Sequence, residues 1–492
     1  MKPDFHQAPS CLRAGQVLAL SVLFVLTATV SLNSHAESEQ NQTRQAQNRL
    51  AQAQTSQLNS AVKPQTSPLT LQQASQLMLQ GNPELEVFQW RQQANQAARQ
   101  QAALTPALSL ELAADNLTGS GEYTDTSETE LAIGLSSMLE LGQQRQRRIA
   151  SVDARQQQWA LQQQERQLAL LGQLTRQFAE ALAQQQQLQL ANRQQQQAAD
   201  SLAIIQRKHS QGAVAEADVL QAEAELVRLK LAADLAQRQL WQARYQVFSL
   251  VYPSRPASQI QPLAESTDRP LQGQLVAVDT SNNASANGGQ WQTLLQQWQQ
   301  SPAALLMQQQ QRVQQARIDE TRASADSAIG WNMGATHFNA TGDVAFSLGV
   351  SVPLGRRSRN ISQLQQQQAE LGALHNQQQT AAQQQQQALY QAWQGYLSAQ
   401  IGWQQYQQGV IPRLQQALND IRTGYQQGRY DYSAWQQAQQ SLFDAQQQRI
   451  AHALDLAIAR SWLEQLTAAP FEMSNNTLPS SAIRQTHTGT QP

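Results

Sequence analysis

Val344-Ala345-Phe346-Ser347-Leu348-Gly349-Val350-Ser351-Val352 puts a large apolar side chain at every second position, with alanine, serine or glycine between. That period of two predicts a strand with one apolar face and one small or polar face. Just upstream, Trp331 and Met333 precede a turn signal at Asn339–Gly342, so residues 329–338 and 343–352 read as a hairpin. A second hairpin lies earlier in the chain. Leu108, Leu110 and Leu112 alternate with Ser109, Glu111 and Ala113. After Gly119-Ser120-Gly121, Leu131, Ile133 and Leu135 alternate with Ala132, Gly134 and Ser136, giving strands at about 107–117 and 129–139. Strands of about ten residues match the length of a tilted strand crossing a bilayer. Two amphipathic hairpins on a soluble core would show the same pattern.

The flanking segments separate these readings. Residues 143–210 and 356–426 hold no strong breaker except Pro412, and as helices each would reach about 100 Å. Apolar residues recur at three- and four-residue spacings, at Leu171, Leu174, Phe178 and Ala181 and again at Val410, Leu414, Leu418, Ile421 and Tyr425. Those are coiled-coil seams. Helices this long do not fold back into a small domain.

The pattern is also duplicated. Asn82-Pro83-Glu84-Leu85 answers to Ser301-Pro302-Ala303-Ala304, and Leu139-Glu140-Leu141-Gly142 to Val352-Pro353-Leu354-Gly355. His209-Ser210-Gln211-Gly212 answers to Tyr425-Gln426-Gln427-Gly428 at a nearly constant offset. One fold built from two equivalent units is the expected result. Residues 68–254 form repeat 1, 255–289 a Pro/Ser/Asn/Gly-rich linker, and 290–468 repeat 2, each reading helix, hairpin, very long helix, helix. Four strands cannot close a membrane barrel, for which about eight are needed, and open edges in lipid leave costly unpaired backbone groups. Three copies supply twelve. The expected fold class is therefore mainly α with a membrane β-barrel: a homotrimer forming a 12-stranded barrel continued by an α-helical coiled-coil tunnel.

Composition narrows the function. The 492 residues carry a formal net charge of -1 and only 14% charged residues, so a nucleic-acid partner is not expected. The mean hydropathy of -0.54 comes from glutamine, a fair helix former, in runs. A disordered Gln-rich tract is the alternative that the apolar periodicity opposes. Lys2 and Arg13, the apolar run Val17–Leu32 and Ser34-His35-Ala36 read as a secretory signal over 1–36, with a retained anchor as the alternative. Residues 37–67 read as a disordered leader and 469–492 as a disordered tail. The single cysteine, Cys11, precedes the apolar run, so disulfides, thiolate metal sites and lipidation at a cleavage point are not expected. The seven histidines are scattered, and no nucleotide-binding loop or nucleophile elbow is present. No catalytic residue, cofactor or metal site is expected. Trp393, Tyr396, Trp403 and Tyr406 form a stripe at helical spacing that reads as packing.

Over roughly 68–468 the chain resembles the TolC family of outer-membrane efflux channels. The resemblance rests on the duplication, on Gly81-Asn82-Pro83-Glu84-Leu85, on Val410-Ile411-Pro412, and on the paired turns His209–Leu220 and Tyr425–Asp431. Asp115–Tyr123 followed by Leu139-Glu140-Leu141-Gly142 is most similar to the heavy-metal (CzcC-like) branch. The resemblance implies a trimeric exit channel in the cell outer membrane, reaching into the periplasm and contacting outer-membrane lipid. A periplasmic adaptor (membrane fusion protein) and an inner-membrane efflux pump would be its partners. Gly212, Ala213, Val214, Gly428, Arg429 and Tyr430 would form the adaptor-docking tip, and Asp218, Tyr425 and Arg429 the polar contacts that close it. The two glycines also read as plain helix caps, and Asp218 as a solvated carboxylate at a helix N-terminus. Aspartates that ring the aperture of the best-known member fall on Ala434 and Gln437 here. Metal export is the expected function. A drug-efflux or type I secretion channel is the alternative, and a structural periplasmic coiled-coil spacer is the alternative of a different class.

Overall fold

The computed structural model describes residues 68–470 except 118, 124–125, 267–269, 276–286, 326–327 and 354. The chain divides after Ser67, and its first unit lies wholly outside the described residues. The expected signal and leader, and nearly all of the expected tail, therefore fall outside them too.

The first half opens with β1 (Leu69–Thr70), α1 (Leu71–Gly81) and α2 (Pro83–Ala103). Thr70 and Gln73 cap α1 reciprocally. The Asn82 side chain accepts from the Glu84 N–H at 2.9 Å, with Pro83 at the first helical position. The hairpin β2 (Ser109–Asp115) and β3 (Glu130–Glu140) follows. Then come α3 (Gln144–Ser210), 67 residues without interruption, and α4 (Glu216–Val251), which packs back along it.

The second half repeats this order after α5 (Ala257–Glu265), β4 (Leu271–Gln272) and α6 (Asn287–Gln299). Helix α7 (Pro302–Ser324) is entered as α2 is, with Ser301 accepting from the Ala304 N–H and Pro302 first in the helix. The hairpin β5 (Ala328–Phe338) and β6 (Val344–Ser351) leads into α8 (Arg356–Gln404), α9 (Ile411–Gln426) and α10 (Tyr432–Thr467). Between α8 and α9 the helix widens into a π-turn, Gln405–Val410, with the Ile411 N–H donating to Tyr406 O. The cause is Pro412, which lacks an N–H and crowds the carbonyl four residues earlier; one wider turn absorbs it without ending the helix.

The stretch expected to be a linker, 255–289, contains elements of its own. Helix α5 lies inside it, with Ile260 and Ala264 buried four residues apart on one face. β4 pairs in parallel with β1, Leu69 opposite Leu271. Pro256 reads as a breaker but occupies the cap position, where its missing N–H costs nothing.

The four long strands form one antiparallel sheet in the order β2-β3-β5-β6, so the β3–β5 pair joins the two halves. The register aligns the alternations of all four strands. Leu112, Ile133, Ala335 and Phe346 lie in one row, and Leu110, Leu135, Met333 and Leu348 in the next on the same face. Glu111, Gly134, Gly334 and Ser347 share a row on the other face. The apolar face is uncovered: Phe346 is 87% exposed and Leu348 79%. The small face is tight instead, for a Cβ on Gly349 would lie 2.2 Å from Asn332 Oδ1. The sheet is open, with β2 and β6 at its edges.

The two largest apolar clusters among the described residues hold helices together. Met78, Leu174, Phe178, Val247, Phe248 and Ile260 belong to the first, which places the α3 seam inside. Leu294, Trp298, Leu389, Trp393, Tyr396 and Leu463 belong to the second. Trp393 and Tyr396 stack with centroids 6.3 Å apart, and Tyr406 lies 5.5 Å from the His452 ring. Among the described residues no helix is long and apolar enough to cross a membrane.

Candidate docking site at the paired helical turns

The two turns between long helices are built alike. At the first, the Gly212 N–H donates to His209 O at 2.8 Å and the Ala213 N–H to Lys208 O at 2.9 Å. At the second, the Gly428 N–H donates to Tyr425 O at 3.2 Å and the Arg429 N–H to Gly424 O at 2.8 Å. Both are Schellman caps, which satisfy the last free carbonyls of a helix and need a left-handed residue at the turn. Gly212 has φ +73° and Gly428 φ +75°. A Cβ on either would meet nothing within 4 Å, so glycine is held there by φ and the space outside it is open.

The next helix starts differently on the two sides. Asp431 caps α10, its carboxylate accepting from the Ala434 N–H at 2.8 Å and from Ser433 Oγ at 3.0 Å. The Ala434 amide and the Ser433 hydroxyl hold that carboxyl below its usual range. Helix α4 has no side-chain cap but carries Glu216 and Asp218 in its first turn, where the macrodipole favours negative charge.

An aromatic cluster ties the two turns together: Ile205 and Ala222 from the first hairpin against Tyr425, Tyr432 and Trp435 from the second. Tyr425 and Trp435 lie 5.0 Å apart and Tyr432 meets Trp435 edge-on at 6.2 Å. Burial, aided by Glu225, Tyr425 and Asp218, pushes the Tyr432 phenol up to about 12, so it stays neutral at ordinary pH. Burial and then Asp218 raise Tyr425 as well. Asp218 and Tyr425 are thus brought within electrostatic reach across the two hairpins.

Arg429 is not part of that pair. Its guanidinium donates to Gln427 Oε1, and it makes no ion pair with Asp218 among the described residues. The cation that does reach the cluster is Lys208. Its Nζ donates to Tyr425 O at 2.9 Å and lies 4.0 Å from the centroid of the Tyr425 ring. Sequence reasoning missed Lys208, although a basic residue in the last turn of a helix was a readable signal. Val214 packs against the cluster, with its carbonyl 3.1 Å from His209 Nδ1. Tyr430 is half exposed, its ring lying against Gly424, where a Cβ would come within 2.4 Å of it. The site is a pair of apices with open space at their glycines and an aromatic cluster beneath them. Among the described residues no three His, Cys, Asp or Glu side chains stand together as metal ligands.

Known proteins share this build. Residues 74–251 match the family described as outer membrane efflux protein. No curated protein sequence matches the chain. A solved structure of the outer-membrane channel OprN aligns over 81% of this chain and 89% of its own, at 18% identity and a TM-score of 0.65. The outer membrane protein VceC from Vibrio cholerae aligns over 82% and 97%, at 14% identity and a TM-score of 0.65. CusC aligns over 81% and 91%, at 17% identity and a TM-score of 0.63. At these identities the likeness is one of fold.

Proposed function

We propose that this chain is one third of an outer-membrane efflux channel, a passive duct through which an inner-membrane pump expels its cargo with the help of a periplasmic adaptor. The observation that carries the reading is the four-stranded sheet. Its large apolar side chains, apart from Met138 and Phe338, lie on one uncovered face, and its edge strands β2 and β6 are left to pair elsewhere. In lipid that face is satisfied, and two further copies satisfy the edges while closing a twelve-stranded ring. The helices support the same assembly. Leu220, Val227, Leu231 and Leu235 make an exposed apolar stripe along α4, at spacings of seven and four. Such a stripe on a long helix suits a neighbouring copy in a tunnel wall. The family matched by residues 74–251 and the folds of OprN, VceC and CusC are consistent with it. In this reading Gly212, Ala213, Val214, Gly428, Arg429 and Tyr430 dock the adaptor, and Asp218, Tyr425 and Arg429 take part in closing the tip.

For cargo, we infer metal cations, motivated by the resemblance of Asp115–Tyr123 to the heavy-metal branch. Deleting the gene should sensitise cells to zinc, cobalt, cadmium, copper or silver more than to dyes and detergents. The reverse pattern moves the protein to drug efflux and leaves the channel intact as a proposal.

A further inference from the structure

We propose that the helix-side rim of the sheet is a basic collar that binds the phosphate headgroups of anionic phospholipids in the leaflet nearest the helices. The inference rests on the membrane reading of the sheet. Between Arg99 and Arg145, and again between Arg322 and Arg356, the chain contains no lysine or arginine at all. Both hairpins lie in these intervals. Basic residues return at once where the strands give way to helices: Arg145, Arg147 and Arg148 open α3, and Arg356, Arg357 and Arg359 open α8. Most carboxylates of the hairpins lie toward the other end of the strands, at Asp115, Glu128, Glu130 and Asp343, while in the sequence Glu140 ends β3 and Asp326 precedes β5 on the helix side. The hairpin sheet is therefore polarised along its strands, and the same polarity is written into both halves.

Three helix ends meet at this rim. Gln143 and Arg147 of the α3 entry, Asp319 and Arg322 of α7, and Asn360 of α8 line a cleft of about 560 Å³. Asn360 Nδ2 donates to Ser324 Oγ at 3.1 Å, fixing the start of α8 against the end of α7. The chain's own acids around this rim, Glu140, Asp319, Glu320 and, in the sequence, Asp326, are outnumbered by its seven arginines. Asp319 lies 3.6 Å from Arg147 and 3.4 Å from Arg322, so a single carboxylate serves two guanidiniums. Glu140 is taken by Arg148, which also donates to Leu104 O. Arg145 and Arg359 are exposed and have no ion pair among the described residues. Arginines in the first turn of a helix are also opposed by its dipole, so helix stability does not explain them. An anion supplied from outside does.

The second observation says which anion. The uncovered apolar face runs down to Leu139 and Val352, a few residues before the arginines begin. Where an apolar band meeting lipid ends, headgroups begin, and guanidinium forks bind phosphate in pairs of hydrogen bonds. Surplus positive charge there selects net-anionic headgroups over zwitterionic ones.

The test uses the mature protein and an Arg145→Gln/Arg359→Gln variant, each placed in bilayer discs of phosphatidylcholine alone or mixed with phosphatidylglycerol. Native mass spectrometry counts the lipids retained, and thermal melting reads the assembled particle. Wild type should retain phosphatidylglycerol in preference and melt higher in the mixed bilayer. The variant should lose that preference about tenfold while melting like wild type in phosphatidylcholine. Arg145→Lys/Arg359→Lys should keep it. Equal phosphatidylglycerol retention by wild type and the glutamine variant overturns the collar. So does protection by inorganic phosphate in solution with no lipid preference, which would make the cleft a free-anion site. A protein that enters neither bilayer overturns the membrane reading first and the collar with it.

Discussion

Gly428→Asp should abolish export while leaving a normally assembled protein in the membrane. Residue 428 has φ +75°, a conformation that aspartate tolerates better than most side chains but still at a cost of about 1 kcal/mol. That cost is local, and the absence of any atom within 4 Å of a Cβ there means no clash inside the chain. The effect falls on whatever packs against the apex. A carboxylate pressed into a close helix contact is buried without a partner, at several kcal/mol, so adaptor affinity should fall by more than about a hundredfold. Gly428→Ala carries at least as much backbone strain without the charge and should keep most export. Gly212→Asp should show a similar, weaker defect, because the two caps share one hydrogen-bond pattern. Drug or metal susceptibility read alongside adaptor crosslinking decides the matter. Full export and normal crosslinking in Gly428→Asp would remove the docking assignment, and failure to assemble would return Gly428 to the role of a helix cap.

The second large effect belongs to the sheet. Leu348→Arg should nearly eliminate the protein from the outer-membrane fraction. Leu348 lies in the middle of β6, opposite Met333, and is 79% exposed on the apolar face. On a water-facing sheet an arginine there would be almost neutral, because the side chain has little to lose. In a bilayer it costs about 2–4 kcal/mol per chain near the midplane, and a threefold ring meets that cost three times. Leu348→Met should insert normally. An arginine variant that reaches the outer membrane at wild-type level would mean that this face does not meet lipid.

Much of this fold is readable from residue type and spacing, because its signals are local and strong. The alternation in Val344–Val352 marks a strand by period alone, and the strand Val344–Ser351 lies there. The uninterrupted run after Gly142 reads as one helix and is one, of 67 residues. Asn82-Pro83 and Ser301-Pro302 mark helix entries because cap and proline chemistry act within four residues. What escaped reading depends on tertiary contact. Helix α5 was hidden by Pro256 and Pro262, since composition cannot show that Ile260 and Ala264 would find a core to bury against. The π-turn before Pro412 was legible only as a break, because whether a proline ends a helix or widens it depends on what holds the flanking turns. At the turns, the position of the two glycines was visible. The joining of the hairpins through Tyr425, Tyr432 and Trp435, and the approach of Lys208 to Tyr425, were not. Those contacts link residues more than two hundred positions apart, beyond the reach of any local pattern.

The reading of the sheet as one third of a barrel is tested most directly by the mass of the particle extracted from the outer membrane in mild detergent. Light scattering with the detergent contribution removed should give three chains per particle, stable to dilution. A chain recovered from the soluble periplasmic fraction as a monomer, with its sheet open and its edges unpaired, would contradict it.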